Sequence, residues 1–152
     1  MSTPEQNLAL LGLTLPDVVP PVAAYIPAVR SGNQVFTSGQ LPMRAGELLA
    51  TGKVGAGVTE EEAYACAQQC ALNAIAAINA EVGDLSLVKR VVKVVVFVAS
   101  SPDFTAQPKV ANGASELFGT VFGEAGVHAR SAVGVAALPL DAPVEVEVIV
   151  EL

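Results

Sequence analysis

The sequence has few of the residues that support metal or nucleophilic chemistry. Its 152 residues include no tryptophan, one histidine and two cysteines. The single histidine, His128, cannot form the usual zinc site, and neither cysteine has a base nearby to activate it as a nucleophile. Cys66 and Cys70 are four residues apart, so on a helix they share one face. We expect them to be small buried thiols in a reducing compartment, and we expect no metal.

Positive charge is also scarce. The chain has 8 lysines and arginines against 15 acidic residues, a formal net charge of −7, and its longest cationic run is Lys89-Arg90. Binding to nucleic acid or to an anionic membrane surface depends on clustered cations. We therefore expect neither partner.

Long apolar runs are missing as well. The longest are Val94–Ala99 and Ala132–Leu140, whereas a membrane-spanning helix needs roughly 20 residues. No basic segment followed by an apolar core opens the chain, so we expect no secretory signal and a cytoplasmic location.

Aliphatic side chains are abundant. Hydrophobic residues make up 52% of the chain and charged residues 15%, against about 45–50% and about 25% in an average soluble domain. This composition predicts one folded domain with apolar surface to spare, which a small protein often covers with a copy of itself.

The chain divides into an N-terminal arm, residues 1–21, and one domain, residues 22–152. The arm starts with a short helix or extended segment, Pro4–Leu13, and prolines interrupt it at Leu15-Pro16 and Pro20-Pro21.

The domain opens with a hairpin pattern. Strand-like residues over Val22–Arg30 precede a turn at Ser31–Asn33, and a second strand follows over Gln34–Ser38. A short strand is possible at Leu48–Thr51, before a glycine-rich loop.

Two helices and three further strands follow. Thr59 and Glu62 form a capping box that opens a helix ending at Gly83, and a second amphipathic helix spans Val110–Val121. The remaining strands are Leu87–Ala99, Ala129–Leu138 and Val144–Leu152. The order β-β-β-α-β-α-β-β predicts an α+β sandwich, with one mixed sheet of about six strands packed on two helices.

Two charged residues interrupt the apolar strands. A guanidinium is costly to bury alone, so Arg130 either points to solvent, pairs with an acid such as Glu145 or Glu147, or holds an anionic ligand. Glu145 either lies on a wet sheet face or, beside an arginine, positions water and relays protons. Less specific candidates are Ser38 and Gly39 at a strand end, Tyr25, Asn112 and His128.

Four segments taken in order resemble the Rid family of reactive enamine/imine intermediate deaminases, also called YjgF-type or L-PSP endoribonuclease-like proteins. The resemblance covers roughly residues 22–152. The segments are Ala24–Val29, Gly32–Pro42, Ala129–Val133 with Leu138-Pro139, and Val144–Glu147.

This resemblance implies a chorismate-mutase-like fold of the Bacillus type and a homotrimer with a cleft at each subunit interface. It implies hydrolysis of 2-imino or 2-enamino acids, such as 2-aminoacrylate, to 2-keto acids and ammonia without any cofactor. By position, Arg130 matches the arginine that holds the substrate carboxylate. Glu145 matches the glutamate that holds water or passes protons. The matching substrate-binding residues are Tyr25, Ser38, Gly39, Asn112 and Arg130.

The sequence also departs from the family pattern. Ala132 stands where many deaminases have cysteine, Gly134 where an acid is common, and His128 where proline or a small residue is usual. These differences indicate a divergent branch. Two alternatives stay open: a non-catalytic protein that binds small carboxylates, and an L-PSP-type endoribonuclease or translation inhibitor, which the negative charge disfavours.

Overall fold

Five strands form one sheet, and two long helices cover one of its faces. The computed structural model describes residues 2–21 and 23–152. The helices are α1 (Pro4–Leu10), α2 (Glu60–Val82) and α3 (Gln107–Phe122). The strands are β1 (Ala28–Ser31), β2 (Gln34–Thr37), β3 (Met43–Arg44), β4 (Glu47–Leu48), β5 (Lys53–Val54), β6 (Gly57–Val58), β7 (Arg90–Ala99), β8 (Ala129–Val135) and β9 (Val144–Glu151).

Helix α2 begins and ends where the sequence predicts. The Glu62 amide donates to Thr59 Oγ1 at 3.1 Å, and the Thr59 amide donates to Glu62 Oε1 at 3.3 Å, which closes the capping box. Gly83 ends the helix with a left-handed φ of 87°. Cys66 and Cys70 are free and buried on this helix, as expected. Burial raises the pKa of the Cys66 thiol to about 11.

The main sheet has the strand order β1-β2-β9-β7-β8. Among the described strands of this sheet, β7 and β8 are the parallel pair, and α3 connects them. The predicted α+β sandwich of one mixed sheet on two helices is confirmed, and the sheet has five strands where about six were expected. The segment between β2 and α2 pairs with itself as β3–β4 and β5–β6. Left-handed glycines at positions 46, 52 and 55 turn this segment back before it can extend the sheet.

The two faces of the sheet differ in chemistry. Strand β9 alternates as predicted, with buried valines on the helix face and half-buried Glu145, Glu147, Ile149 and Glu151 on the other, open face. Apolar side chains also reach the open face from other strands. Phe36, which pairs with Ile149, is 36% exposed, and Val133, which pairs with Phe97, is 44% exposed.

Several predicted strand ends are wrong by a few residues. Strand β1 begins at Ala28 and not near Val22, which itself lies outside the described residues. Pro27 has no amide to donate, and the residues before it form a bend in which the Tyr25 amide donates to the Ala23 carbonyl. Strand β8 ends at Val135, before the short 3₁₀ turn at Pro139–Asp141.

The arm is attached to the domain through α1. Leu8 is buried, and the Asn7 side-chain amide donates to the Val121 carbonyl on α3 at 2.8 Å. Leu13 and Leu15 pack against the core beyond the helix. Within residues 2–21 and 23–152, no helix has the length and hydropathy needed to cross a bilayer.

Candidate functional site

A cavity of about 310 Å³ lies at the start of β9, and we call it the Glu145 cavity. The segment after β2 supplies one wall, and the 3₁₀ turn before β9 supplies another. Residues of the arm cover a third side. The lining residues are Val19, Pro20, Pro21, Tyr25, Pro27, Gly39, Gln40, Leu41, Met43, Pro139, Leu140 and Glu145.

Glu145 is the acidic residue of this cavity. It pairs with Phe97 in the sheet and therefore points to the open face, where it is half-buried. Burial, and after it the negative charge of Glu147, raises the pKa of the Glu145 carboxyl. A carboxyl with a raised pKa exchanges a proton with water or substrate more readily near neutral pH, as a general acid–base catalyst must.

Gly39 lies directly against the Glu145 carboxylate. A Cβ atom at position 39 would overlap Oε2 of Glu145 and lie 2.7 Å from its carboxyl carbon. The backbone of Gly39 does not have a positive φ. This glycine is therefore required for space and not for a turn.

Ser38 and Tyr25 hold the neighbouring wall. The Ser38 hydroxyl donates to the Ile26 carbonyl at 2.6 Å, and its amide donates to the Pro27 carbonyl at 2.8 Å. Ser38 thereby fixes the bend that carries Tyr25, whose side chain lines the cavity and is 42% exposed. The predicted set of Tyr25, Ser38, Gly39 and Glu145 thus lies together.

A buried amide that was not among the predicted site residues supports another wall. Asn73 on α2 is 1% exposed, and its Nδ2 donates to the carbonyls of Leu41 and Met43, each at 3.0 Å. Gln69, one turn earlier, donates to Asn73 Oδ1 at 3.0 Å. Gln69 and Asn73 are four residues apart on an apolar helix face, and this spacing in the sequence could have indicated a buried polar contact.

Arg130 lies away from this cavity. Its Nη1 donates to Asn112 Oδ1 at 2.8 Å and to Ser115 Oγ at 3.2 Å, both on α3. These partners are neutral, so the ion pair with Glu145 or Glu147 that the sequence left open is not formed. The ion pair that does form within residues 2–21 and 23–152 joins Lys53 Nζ to Asp141 Oδ1 at 3.2 Å.

The hydrogen bonds around Arg130 continue to His128. Since the Gly126 carbonyl can only accept, His128 Nδ1 donates to it at 2.6 Å. In the neutral ring, Nε2 then accepts from the Ser115 hydroxyl at 2.9 Å, which leaves Ser115 Oγ to accept from Arg130. Ser115 was not predicted, because a helical serine in isolation carries no signal. Together these bonds occupy Nη1 of Arg130, and within residues 2–21 and 23–152 neither Nε nor Nη2 donates a hydrogen bond to a protein acceptor.

A single chain does not bring Arg130 and Glu145 together. Arg130 pairs with Val94 on β7 and Glu145 with Phe97, so their side chains point to opposite faces of the sheet. Their Cα atoms are separated by roughly 10 Å across the strands and roughly 10 Å along them. The predicted site residues therefore form two groups: Arg130 with Asn112, and Glu145 with Tyr25, Ser38 and Gly39.

Other ligand chemistry is limited in the described part of the chain. No three His, Cys, Asp or Glu side chains converge there as metal ligands would.

The sheet order, the parallel β7–β8 pair and the two covering helices define an α+β protein with a chorismate-mutase-like fold.

Comparisons with known proteins agree with this class. The model of the family described as "YjgF/chorismate_mutase-like, putative endoribonuclease" matches residues 5–152, and the chain belongs to this family. Protein TCP17 of Trypanosoma cruzi is 52% identical over 96% of this chain and 92% of its own. A 2-iminobutanoate/2-iminopropanoate deaminase of Dermatophagoides farinae is 36% identical over 86% of this chain and 87% of its own. The crystal structure of Atu1372 from Agrobacterium tumefaciens has a TM-score of 0.91 and 47% identity, covering 99% of this chain and 92% of that one.

Proposed function

We propose that the protein is a hydrolytic deaminase that converts 2-imino and 2-enamino acids to 2-keto acids and ammonia. The observation that carries the proposal is the half-buried carboxyl of Glu145, with its raised pKa, in a cavity of about 310 Å³. The name of the Dermatophagoides farinae relative supports the same reaction.

The reaction needs little from the protein. An imine carbon is already electrophilic, so water adds to it once the substrate is held in place. Glu145 takes a proton from the attacking water and returns it to the nitrogen. The resulting carbinolamine loses ammonia as its C–N bond breaks and the carbonyl forms. The balance is one imino acid and one water giving one keto acid and one ammonia.

The substrate carboxylate needs a cation, and Arg130 is our candidate. The bonds from Nη1 to Asn112 and Ser115 fix the guanidinium plane, so its Nε–Nη2 edge is available for a bidentate contact with a carboxylate. Because Arg130 and Glu145 of one chain are far apart and on opposite faces, we infer that each site takes Arg130 from one copy and Glu145 from the next. The exposed apolar residues of the open face support association of copies, and we propose a homotrimer.

The activity is tested by making the imine in situ. An amino acid oxidase with catalase converts 2-aminobutanoate to its imine, and semicarbazide traps the imine that survives. We expect the protein to accelerate the release of ammonia and 2-oxobutanoate and to lower trapping. Arg130→Ala and Glu145→Gln are expected to abolish this effect, whereas Arg130→Lys retains charge without the bidentate geometry and is expected to retain only part of it.

The shared site has its own test. Co-expression of Arg130→Ala with Glu145→Gln chains gives mixed oligomers in which about a quarter of the sites have both groups intact, if neighbouring copies supply them. Recovery of activity in the mixture supports the shared site. A mixture as inactive as either parent contradicts it.

The two alternatives have distinct outcomes. Thermal protection by 2-oxobutanoate without any turnover would indicate a binding protein. RNA cleavage that survives purification and is lost in Glu145→Gln would indicate a nuclease. The net charge of −7 gives RNA little electrostatic attraction.

A further inference from the structure

The walls of the Glu145 cavity are mostly aliphatic. Leu41 and Met43 line it from the segment after β2, and Val19 and Pro20 line it from the arm. Its polar lining residues are Tyr25, Gln40 and Glu145. Its volume of about 310 Å³ lies at the lower end of the roughly 300–1,000 Å³ found for pockets that hold drug-sized ligands. A three-carbon imino acid leaves much of this apolar space empty.

The arm is anchored to the domain before it reaches the cavity. Pro16 and Pro20 restrict the backbone of the arm, and Leu15 packs against the core. At its other end α1 is tied to α3 through Asn7. The arm is therefore anchored as far as Leu15, four residues before the wall residue Val19.

A second cavity lies behind this wall. It has a volume of about 400 Å³ and shares Val19, Pro20 and Met43 with the Glu145 cavity. These three side chains thus separate the two spaces. Truncating one of them would enlarge the Glu145 cavity toward Asp17, which lines only the second cavity.

We propose that the arm residues Val19 and Pro20, together with Met43, form the subsite for the substrate side chain and select 2-imino acids with large apolar side chains, branched or aromatic. The inference rests on the proposed function. Burial of each methylene stabilises binding by an amount that corresponds to roughly a fourfold gain. The protein therefore prefers the imine derived from leucine over the imine derived from alanine by about tenfold or more in kcat/KM.

The test compares imines made in situ from alanine, 2-aminobutanoate, leucine and phenylalanine. The wild-type kcat/KM is expected to rise along this series. Val19→Phe narrows the cavity and is expected to lower the leucine-to-alanine ratio by about tenfold. Leu10→Ser is the matched control: Leu10 is 83% exposed on α1, away from the cavity, and the ratio is expected to stay at the wild-type value.

A ratio near one in the wild type, or an unchanged ratio in Val19→Phe, overturns the subsite. Failure of the deaminase proposal looks different, because then no imine is turned over. In that case the subsite is tested by measuring how strongly keto acids bind. Thermal protection by 4-methyl-2-oxopentanoate is expected to exceed protection by pyruvate, and Val19→Phe is expected to remove the difference. Equal protection by the two keto acids contradicts the subsite.

Discussion

Gly39 and Glu145 lie in such close contact that no side chain fits between them. A Cβ atom at position 39 would be 3.1 Å from Cγ of Glu145 and closer still to its carboxyl group. Glu145, whose carboxyl group we propose to move protons, can therefore keep this position only because residue 39 has no side chain.

Gly39→Ala is expected to displace the Glu145 carboxyl and reduce kcat/KM for imine hydrolysis on the order of 10²-fold, as misplacement by about 1 Å can. Thermal unfolding is expected to change little, because Gly39 has no positive φ to relax. Gly119→Ala is the control. Gly119 lies in α3 with no atom within 4 Å of an added Cβ, so this variant is expected to keep activity and gain stability. Full activity of Gly39→Ala would contradict the role of Glu145.

Asn112 determines how Arg130 is presented. Asn112→Ala removes the acceptor at 2.8 Å, and we expect KM to rise by about tenfold, the effect of losing one hydrogen bond to a charged group. Asn112→Asp is expected to weaken binding further, since it supplies a protein carboxylate that competes with the substrate for the guanidinium. Steady-state kinetics with a keto acid inhibitor measures both effects. Tighter binding in Asn112→Asp than in Asn112→Ala would exclude Arg130 as the carboxylate site.

Glu145 makes stability depend on pH in a definite direction. Its pKa is raised in the folded protein from an ordinary value of 4.5, so the folded state holds the proton more strongly than the unfolded state. Its contribution to stability is full below pH 4.5 and is lost as pH rises through the folded-state pKa. The unfolding temperature of Glu145→Gln minus that of the wild type is expected to increase over this range.

Glu147→Gln is the matched variant for that experiment. Burial is the larger cause of the raised pKa of Glu145, and the charge of Glu147 is the smaller one. The pH dependence is therefore expected to weaken in Glu147→Gln without disappearing. A flat difference between Glu145→Gln and wild type at all pH values would show that the carboxyl is not desolvated.

Asn73 is expected to matter for stability. Asn73→Ala removes the side-chain donor to the Leu41 and Met43 carbonyls and leaves the buried Gln69 amide without its acceptor, and a buried unsatisfied group costs about 1–3 kcal/mol. Asn79→Ala, nearer the helix end and only partly buried, is the control and is expected to change the free energy of unfolding by less than about 0.5 kcal/mol. Denaturant titration measures both. Equal effects in the two variants would contradict the support that Asn73 gives to the cavity wall.

Local signals in the sequence predicted most of the elements. The Thr59 capping box, Gly83 and the valine alternation of β9 act over a few residues, so their consequences can be read directly. The partners of Arg130 could not be read in this way. Asn112 and Arg130 are 18 residues apart in the chain, and only the parallel pairing of β7 with β8 brings α3 over that arginine.

The separation of Arg130 from Glu145 could not be predicted from the sequence either. It depends on β7 lying between β8 and β9 and on the register that sets Val94 and Phe97 opposite the two residues. The family resemblance supplied both residues but not their distribution over two faces. Likewise, the amides at positions 69 and 73 were present in the sequence, but what they hold depends on the path of the segment after β2.

The central place of β9 has a consequence for how the protein is made. This strand joins β2 to β7, and the Val148 amide donates to Thr37 Oγ1 across 111 residues of chain. Until β9 has left the ribosome, the hairpin of β1 and β2 has no strand to pair with. The edge of β7 that later pairs with β9 is also unpaired until then. The nascent chain therefore has exposed strand edges until synthesis reaches β9. Such edges are prone to aggregation, which chaperones prevent.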